Sequence, residues 1–269
     1  MPSTARSAAR EAEASTAFRL AARIGYGANG ILHLLVGVLV LAVTFGGTED
    51  SDQTGAFRAL AAAPLGAVAL WALAVGLVAL GAWHVLQAVA PRGLSGAKRA
   101  ARVASEAPQG IVFIVIGVIS ASVALGARPH AEEAAQDASG AVLAFPLGGL
   151  VLGAVGLTVA GVGIGFFVMG VRRSFRDKVD LPGGAGGAVL TVLGVFGFLA
   201  KGVALGVVGV LLVVAAITVE PDTAGGLDGA VAALLALPAG PFLGTLVGVG
   251  FLAYGVFTVF RGRYARLDV

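Results

Sequence analysis

The side chains best able to do chemistry in this sequence sit inside apolar stretches. Lys201 lies in Gly197-Phe-Leu-Ala-Lys-Gly202, Asn29 in Gly25-Tyr-Gly-Ala-Asn-Gly30, and Gln109 in Ala107-Pro-Gln-Gly110. Each is followed by one glycine and then by another seven residues on, giving the pairs Gly30 and Gly37, Gly110 and Gly117, and Gly202 and Gly209. An ionisable side chain inside a membrane is costly and commonly marks a site. The apolar runs contain no aspartate or glutamate to neutralise Lys201. Its remaining choices are Asn29, Gln109, backbone carbonyls, a lipid phosphate, a bound anion, or loss of its proton. The opposing reading is snorkelling, in which the aliphatic stem carries the amine to the cytoplasmic headgroups. A solute or anion path and a snorkelling anchor both remain open.

Two further groups could act. His33, toward the middle of the first apolar run, and His84, near the cytoplasmic end of the second, could hold a haem or metal between them. They could equally make two interhelical hydrogen bonds, or place His84 at the interface. Gln87 and Arg261 occupy equivalent positions at the ends of the second and sixth runs and read as boundary anchors. HExxH and GxSxG are absent, and the run Gly183 to Gly187 lacks the lysine and strand of a phosphate loop, so it reads as a flexible join. No acid–base pair is in view. The expectation is therefore no catalytic residue, no metal, no cofactor and no enzyme activity.

The elements that must position these residues follow from composition. Of 269 residues, 58% are hydrophobic and 12% charged, against about 25% charged in a soluble domain. That balance predicts an all-α, multi-pass membrane protein. Six apolar runs qualify as spans: residues 24–45, 65–90, 109–125, 147–171, 188–219 and 241–260. The fifth is too long for one perpendicular crossing. Counting about twenty residues back from Glu220 puts its membrane boundary near Ala200. Pro64, Pro108 and Pro146 read as first-turn prolines, where a missing N–H costs nothing. Trp71 and Trp83 read as interfacial. The absence of cysteine excludes disulfides and thiolate ligands.

All but Arg58, Arg128 and Lys201 of the eighteen lysines and arginines fall in the two tails or in the loops before spans three and five. The positive-inside rule then places both termini in the cytoplasm, with six helices crossing the bacterial inner (plasma) membrane. The net charge of +3 is accounted for by topology and anionic lipid, which leaves no basic domain for nucleic acid. The lipid bilayer is the expected partner.

The chain repeats. Offsets of 80 and 172 carry Gly30 and Gly37 onto Gly110 and Gly117 and onto Gly202 and Gly209. Offsets of 82 and 174 carry Pro64-x-Gly66 onto Pro146-x-Gly148 and Pro238-x-Gly240, and Gly81 onto Gly163 and Gly255. The unit is a helical hairpin with an acidic outer loop. The chain divides into a cytoplasmic tail (1–23) and three tandem hairpins (24–92, 103–176 and 188–266). The tail could be a surface amphipathic helix or a flexible segment. Two spans per unit give every unit the same orientation, so three units could close in a pseudo-threefold arrangement or lie in a row.

The stretch Ala22-Arg-Ile-Gly-Tyr-Gly-Ala-Asn-Gly30 with His33, and the stretches Ala200-Lys-Gly-Val-Ala-Leu-Gly206, Ala224-Gly-Gly-Leu-Asp228 and Arg263-Tyr-Ala-Arg266, resemble the first and third repeats of an uncharacterised bacterial membrane family, domain of unknown function 1206. The second repeat departs at Ala104-Ser105-Glu106, where an aromatic–glycine pair is expected. The resemblance implies six spans in three pairs and carries no agreed activity.

Pairs such as Gly149-x-x-x-Gly153, Gly161-x-x-x-Gly165, Gly202-x-x-x-Gly206 and Gly244-x-x-x-Gly248 let helix backbones approach, within the bundle or against another chain. The expected function is a non-catalytic membrane scaffold or partner subunit, self-associating or bound to another membrane protein. The alternative is a small-solute or anion transporter with a path near Lys201.

Overall fold

The protein is seen in a computed structural model that describes residues 16–48, 50–89 and 96–265. The basic residues Arg6, Arg10, Arg92 and Arg266 and the acidic Glu49 lie outside the described residues. The described chain is helical throughout: α1 (Thr16–Thr44), α2 (Gln53–Ala61), α3 (Gly66–Val89), α4 (Gly96–Ala124), α5 (Ala131–Leu143), α6 (Gly148–Arg172), α7 (Gly184–Thr218), α8 (Leu227–Leu235) and α9 (Gly240–Tyr264). Single 3-10 turns follow α6 (Ser174–Lys178) and α7 (Pro221–Thr223). Six helices, α1, α3, α4, α6, α7 and α9, are long and apolar enough to cross a membrane. The protein is a multi-pass membrane protein of three tandem hairpins.

Several expectations are corrected. Helix α4 begins at Gly96 and contains Pro108 in its interior rather than at its start. Proline removes one ladder bond, a loss that spanning helices tolerate when neighbouring groups satisfy the freed carbonyl. Helix α1 already runs from Thr16, so residues 16–23 are helix rather than free tail. The glycine run at 183–187 is the first turn of α7 rather than a join. That helix continues unbroken for 35 residues through Ala200, about 52 Å at 1.5 Å per residue.

The loops inside each hairpin are not irregular either. Each carries a short helix, α2, α5 or α8, which the sequence reading missed. Each then turns through Pro-x-Gly into the next span, and the spanning helix starts at the glycine, not at the proline. The reason recurs in all three repeats. A Cβ on Gly66, Gly148 or Gly240 would fall on the carbonyl of Leu60, Val142 or Leu235 near the end of the short helix. Only glycine permits that approach.

The chain divides into two compact units, one of Met1–Gly30, Leu60–Ala127 and Thr258–Val269, the other of Ile31–Ala59 and Arg128–Phe257. In the first unit, α3 packs on α4. Gly110 meets the Gly81 carbonyl, with a Cβ there only 2.9 Å away, and Gly117 meets the Ala74 carbonyl at 3.0 Å. In the second unit, α6 packs on α7 through Gly202 against the Gly163 carbonyl at 2.8 Å and Gly209 against Ala160. In the same unit α9 packs on α1, with Gly37 against the Gly248 carbonyl at 2.9 Å. In each of these contacts the second helix of one repeat packs on the first helix of another.

In the second unit the short helices are tied by side chains. Asp228 accepts from the Ser51 backbone N–H and from its hydroxyl, the latter at 2.6 Å. Glu132 accepts from the Gly226 N–H at 2.8 Å. Arg58 pairs with Asp50 and reaches His130 Nδ1 at 2.9 Å.

Candidate functional site

In the second unit Lys201 is held from several sides. Its Nζ lies 3.2 Å from His33 Nε2. It also sits over the Tyr254 ring at 4.5 Å and the Phe166 ring at 5.1 Å from the centroids. His33 is buried and packs on Tyr254 at 4.8 Å and Phe251 at 5.9 Å. A charged amine donates, so Nε2 must accept and the ring proton stays on Nδ1. Each desolvated cation–π contact contributes on the order of 1–2 kcal/mol. The cluster draws on four helices: α7 carries Lys201, and its partners come from α1, α6 and α9.

The glycines explain how four helices come so close. Gly197 lies against the Tyr254 backbone and Gly250 against Ala200, so the α7–α9 contact brings Tyr254 beside Lys201. The Lys201 amine ends on a ring nitrogen and two aromatic faces.

In the first unit the polar cluster is His84-centred. His84 Nδ1 lies 2.6 Å from Glu106 Oε2. The imidazole stacks on Phe113 at 5.4 Å and meets Tyr26 edge-on at 6.4 Å. Gln87 accepts from Arg102. Arg261 lies over the Tyr26 ring at 4.6 Å and reaches its hydroxyl at 3.4 Å. Ala22, Tyr26, Leu80, Trp83 and Ala265 form the apolar packing beneath. His84 is 5% exposed and Thr258 1%, so His84 does not sit in an open interface. Three polar atoms here are buried with no hydrogen-bond partner: His84 Nε2, Thr258 Oγ1 and Arg261 Nε. Each such atom costs about 1–3 kcal/mol unless something satisfies it.

The expectation that no carboxylate lies within a span is therefore corrected. Glu106 belongs to α4, because the helix starts ten residues earlier, and its carboxylate faces a buried histidine. The sequence held the signal. Glu106 and His84 stand at positions related by the repeat to Phe198 and Phe166, which stack on each other at 5.7 Å. The residues at the third repeat's equivalent of this position are Tyr26 and Thr258.

The three repeat-equivalent polar residues do not behave alike. Asn29 is 4% exposed. Gln109 is exposed and returns its amide to the Ser105 carbonyl of its own helix at 2.8 Å. Lys201 is half-buried as described. Gln87 is buried and bonded rather than a boundary anchor. His33 and His84 each commit a ring nitrogen to a different neighbour, Lys201 and Glu106. Of the packing glycines, Gly37, Gly110, Gly117, Gly202 and Gly209 meet a neighbouring helix, and Gly30 is buried.

The geometry makes one comparison with known proteins decisive. The sequence matches domain of unknown function 1206 three times, over residues 24–90, 107–173 and 196–265. The chain belongs to this family. It is also similar to the uncharacterized protein YxxB of Bacillus subtilis (strain 168), with 28% identity over 255 residues, covering 91% of this chain and 90% of the relative. No solved structure matches. The three matched segments each hold one hairpin, with His33, His84 and Lys201 inside them and Glu106 one residue before the second.

Proposed function

We propose that the protein is a non-catalytic membrane subunit that associates through α6 with the same helix of a second copy. The observation that carries this reading is the glycine pair Gly161 and Gly165. A Cβ at either would meet nothing within 4 Å, whereas Gly156, Gly163 and Gly170 on the same helix lie against the α7 backbone. Glycine in a helix costs on the order of 1 kcal/mol relative to alanine. Gly163 returns that cost in packing; Gly161 and Gly165 return nothing among the described residues. Only 17% of the apolar window of α6 is buried, against 56% for α1 and α9. Two copies of one small-residue face close on each other about a twofold axis.

The test is disulfide crosslinking of Gly161→Cys in native membranes, on a chain that has no cysteine of its own. A crosslinked dimer that Gly165→Leu abolishes is the expected result. A chain that stays monomeric at every protein-to-lipid ratio would remove the reading. We place both termini in the cytoplasm of the bacterial inner membrane on the charge asymmetry. An impermeant thiol reagent should then label Thr48→Cys and Ser174→Cys from opposite faces.

A second reading, passage of a small anion or polar solute near Lys201, is favoured by a half-buried amine beside a buried imidazole. It expects Lys201→Met to abolish flux in proteoliposomes. No change across a broad solute panel would remove it.

A further inference from the structure

We propose that the connection between α6 and α7, in the second unit, binds one anionic phospholipid, with the phosphate on Arg173 and Arg176 and the upper acyl carbons along α7. This goes beyond the association reading and does not depend on it, because Gly161 and Gly165 lie elsewhere on α6.

The first ground is helix length. Gly170 meets the Val195 carbonyl and the Leu199 nitrogen, so these residues mark one level of the antiparallel pair. Helix α6 ends two residues further on, at Arg172, while α7 begins eleven residues before Val195, at Gly184. The first turns of α7 therefore stand past the end of α6 by roughly 13 Å. The 25 residues of α6 already give about 37 Å, against about 30 Å of hydrocarbon. The turns beyond it belong at headgroup level, yet they are apolar. Val189 and Val192 are 58% and 67% exposed there.

The second ground is a cavity. Phe175 packs against Gly194 and folds the connection back along α7. Between the connection and the helix lies a cavity of about 670 Å³. The connection lines it with Arg173, Arg176 and Leu181, and α7 lines it with Val192, Val195 and Phe196. Such a volume is in the range of sites that hold small organic molecules. Both arginines are exposed, and neither side chain has an ion pair or hydrogen bond among the described residues. Asp177 and Asp180, the carboxylates of the same connection, do not line the cavity.

The third ground is what the lining requires as a whole. A guanidinium is always charged, and its planar fork matches phosphate oxygens. A soluble anion would satisfy the arginines and leave Leu181, Val192, Val195 and Phe196 facing water. A neutral lipid would cover those residues and leave two cations uncompensated. An anionic phospholipid meets both requirements, and basic pockets beside spanning helices capture such headgroups.

The test follows thermal unfolding of the full chain in a neutral detergent while phosphatidylglycerol, phosphatidylcholine or inorganic phosphate is added. The expected result is saturable stabilisation by phosphatidylglycerol alone. Half-saturation should need about tenfold or more lipid in the double variant Arg173→Gln with Arg176→Gln. Val192→Trp keeps both charges and fills the cavity, and it should weaken the response as much. A control, Arg99→Gln with Arg263→Gln, removes the same charge from exposed residues that do not line the cavity, and it should respond as wild type does. Phosphatidylcholine acting as well as phosphatidylglycerol overturns the proposal, as does no response to either. Inorganic phosphate that reproduces the effect overturns it too, because the occupant would then be a soluble anion. An equal loss in the control would make the effect one of general surface charge. A full response in Val192→Trp would place the lipid outside the cavity, and either outcome overturns the site.

Discussion

The α3–α4 contact of the first unit and the α6–α7 contact of the second are built on one plan with opposite chemistry. Both close through glycine against a backbone carbonyl, Gly110 on Gly81 and Gly202 on Gly163. At the equivalent position beside that contact, the first places His84 on Glu106 and the second places Phe166 on Phe198. Lipid offers no hydrophobic drive for helix pairing, so close backbone approach carries the association. The side chains next to the glycines are thereby released from holding the helices together. One interface spends that freedom on aromatic stacking, the other on a histidine–carboxylate contact.

The largest effect should come from breaking the shared part. A Cβ on Gly163 would sit 2.6 Å from the Gly206 nitrogen and 2.8 Å from the Gly202 carbonyl, where backbone must move to make room. Gly163→Val should cost roughly 3 kcal/mol or more of stability, measured by thermal unfolding in detergent. Gly161→Val, two residues away on an open face, should leave the unfolding temperature nearly unchanged. Equal losses at both would mean that contact with the neighbouring helix is not what these glycines supply.

The parts that differ should be exchangeable. His84→Phe alone takes the Nδ1 contact away from the Glu106 carboxylate and should cost about 1–3 kcal/mol. Glu106→Phe alone strands the His84 ring and should cost about 1–3 kcal/mol. The double variant recreates the Phe166–Phe198 pairing and should return to within about 1 kcal/mol of the parent. A double loss that merely adds the two single losses would show that the pair is not coupled.

In the second unit the asymmetry should run between Lys201 and His33. Lys201→Met removes two cation–π contacts and a hydrogen bond together with the charge they stabilise, at a net cost of about 1–2 kcal/mol. His33→Leu takes the acceptor away and leaves the amine in place, so it should be the more damaging of the two. The reverse order would return the amine to the headgroups.

How much of this was legible follows the same division. The glycine ladder and the three hairpins were readable because close approach admits no other residue, and the requirement recurs at fixed offsets. Glu106 was misplaced because Pro108 read as a helix start, and helix α4 in fact runs through it. The Lys201–His33 contact joins residues 168 apart in different repeats, and no offset relates them: the equivalents of His33 are Phe113 and Leu205, not lysine partners. The pairing depends on α1 and α7 meeting in the second unit, a contact between repeats that the internal repeat does not encode. The short helices α2, α5 and α8 were read as acidic loops because their acids attract attention first. Those acids work as helix starts and crosslinks.

The smallest expected effect concerns one of those acids. Asp52 precedes α2 and accepts from the Thr54 hydroxyl and the Gly55 N–H, both at 2.8 Å, the bonding of a helix N-cap. Burial pushes its carboxyl above the ordinary value of 3.8, the neighbouring Asp228 adds to the rise, and the two hydrogen bonds oppose it. A carboxyl whose folded value exceeds its unfolded one binds more protons in the native state over the interval between them. Stability from this group is therefore present at low pH and is lost as pH rises from about 3.8 through the folded value. Asp52→Asn keeps an oxygen for both donors and cannot ionise, so the fall in unfolding temperature over that interval should flatten. Asp52→Ala removes the cap as well and should cost about 1 kcal/mol at every pH. If the asparagine variant instead lost stability above that interval, the charge itself would be what Thr54 and Gly55 require, and the cap would outweigh the cost of burying it.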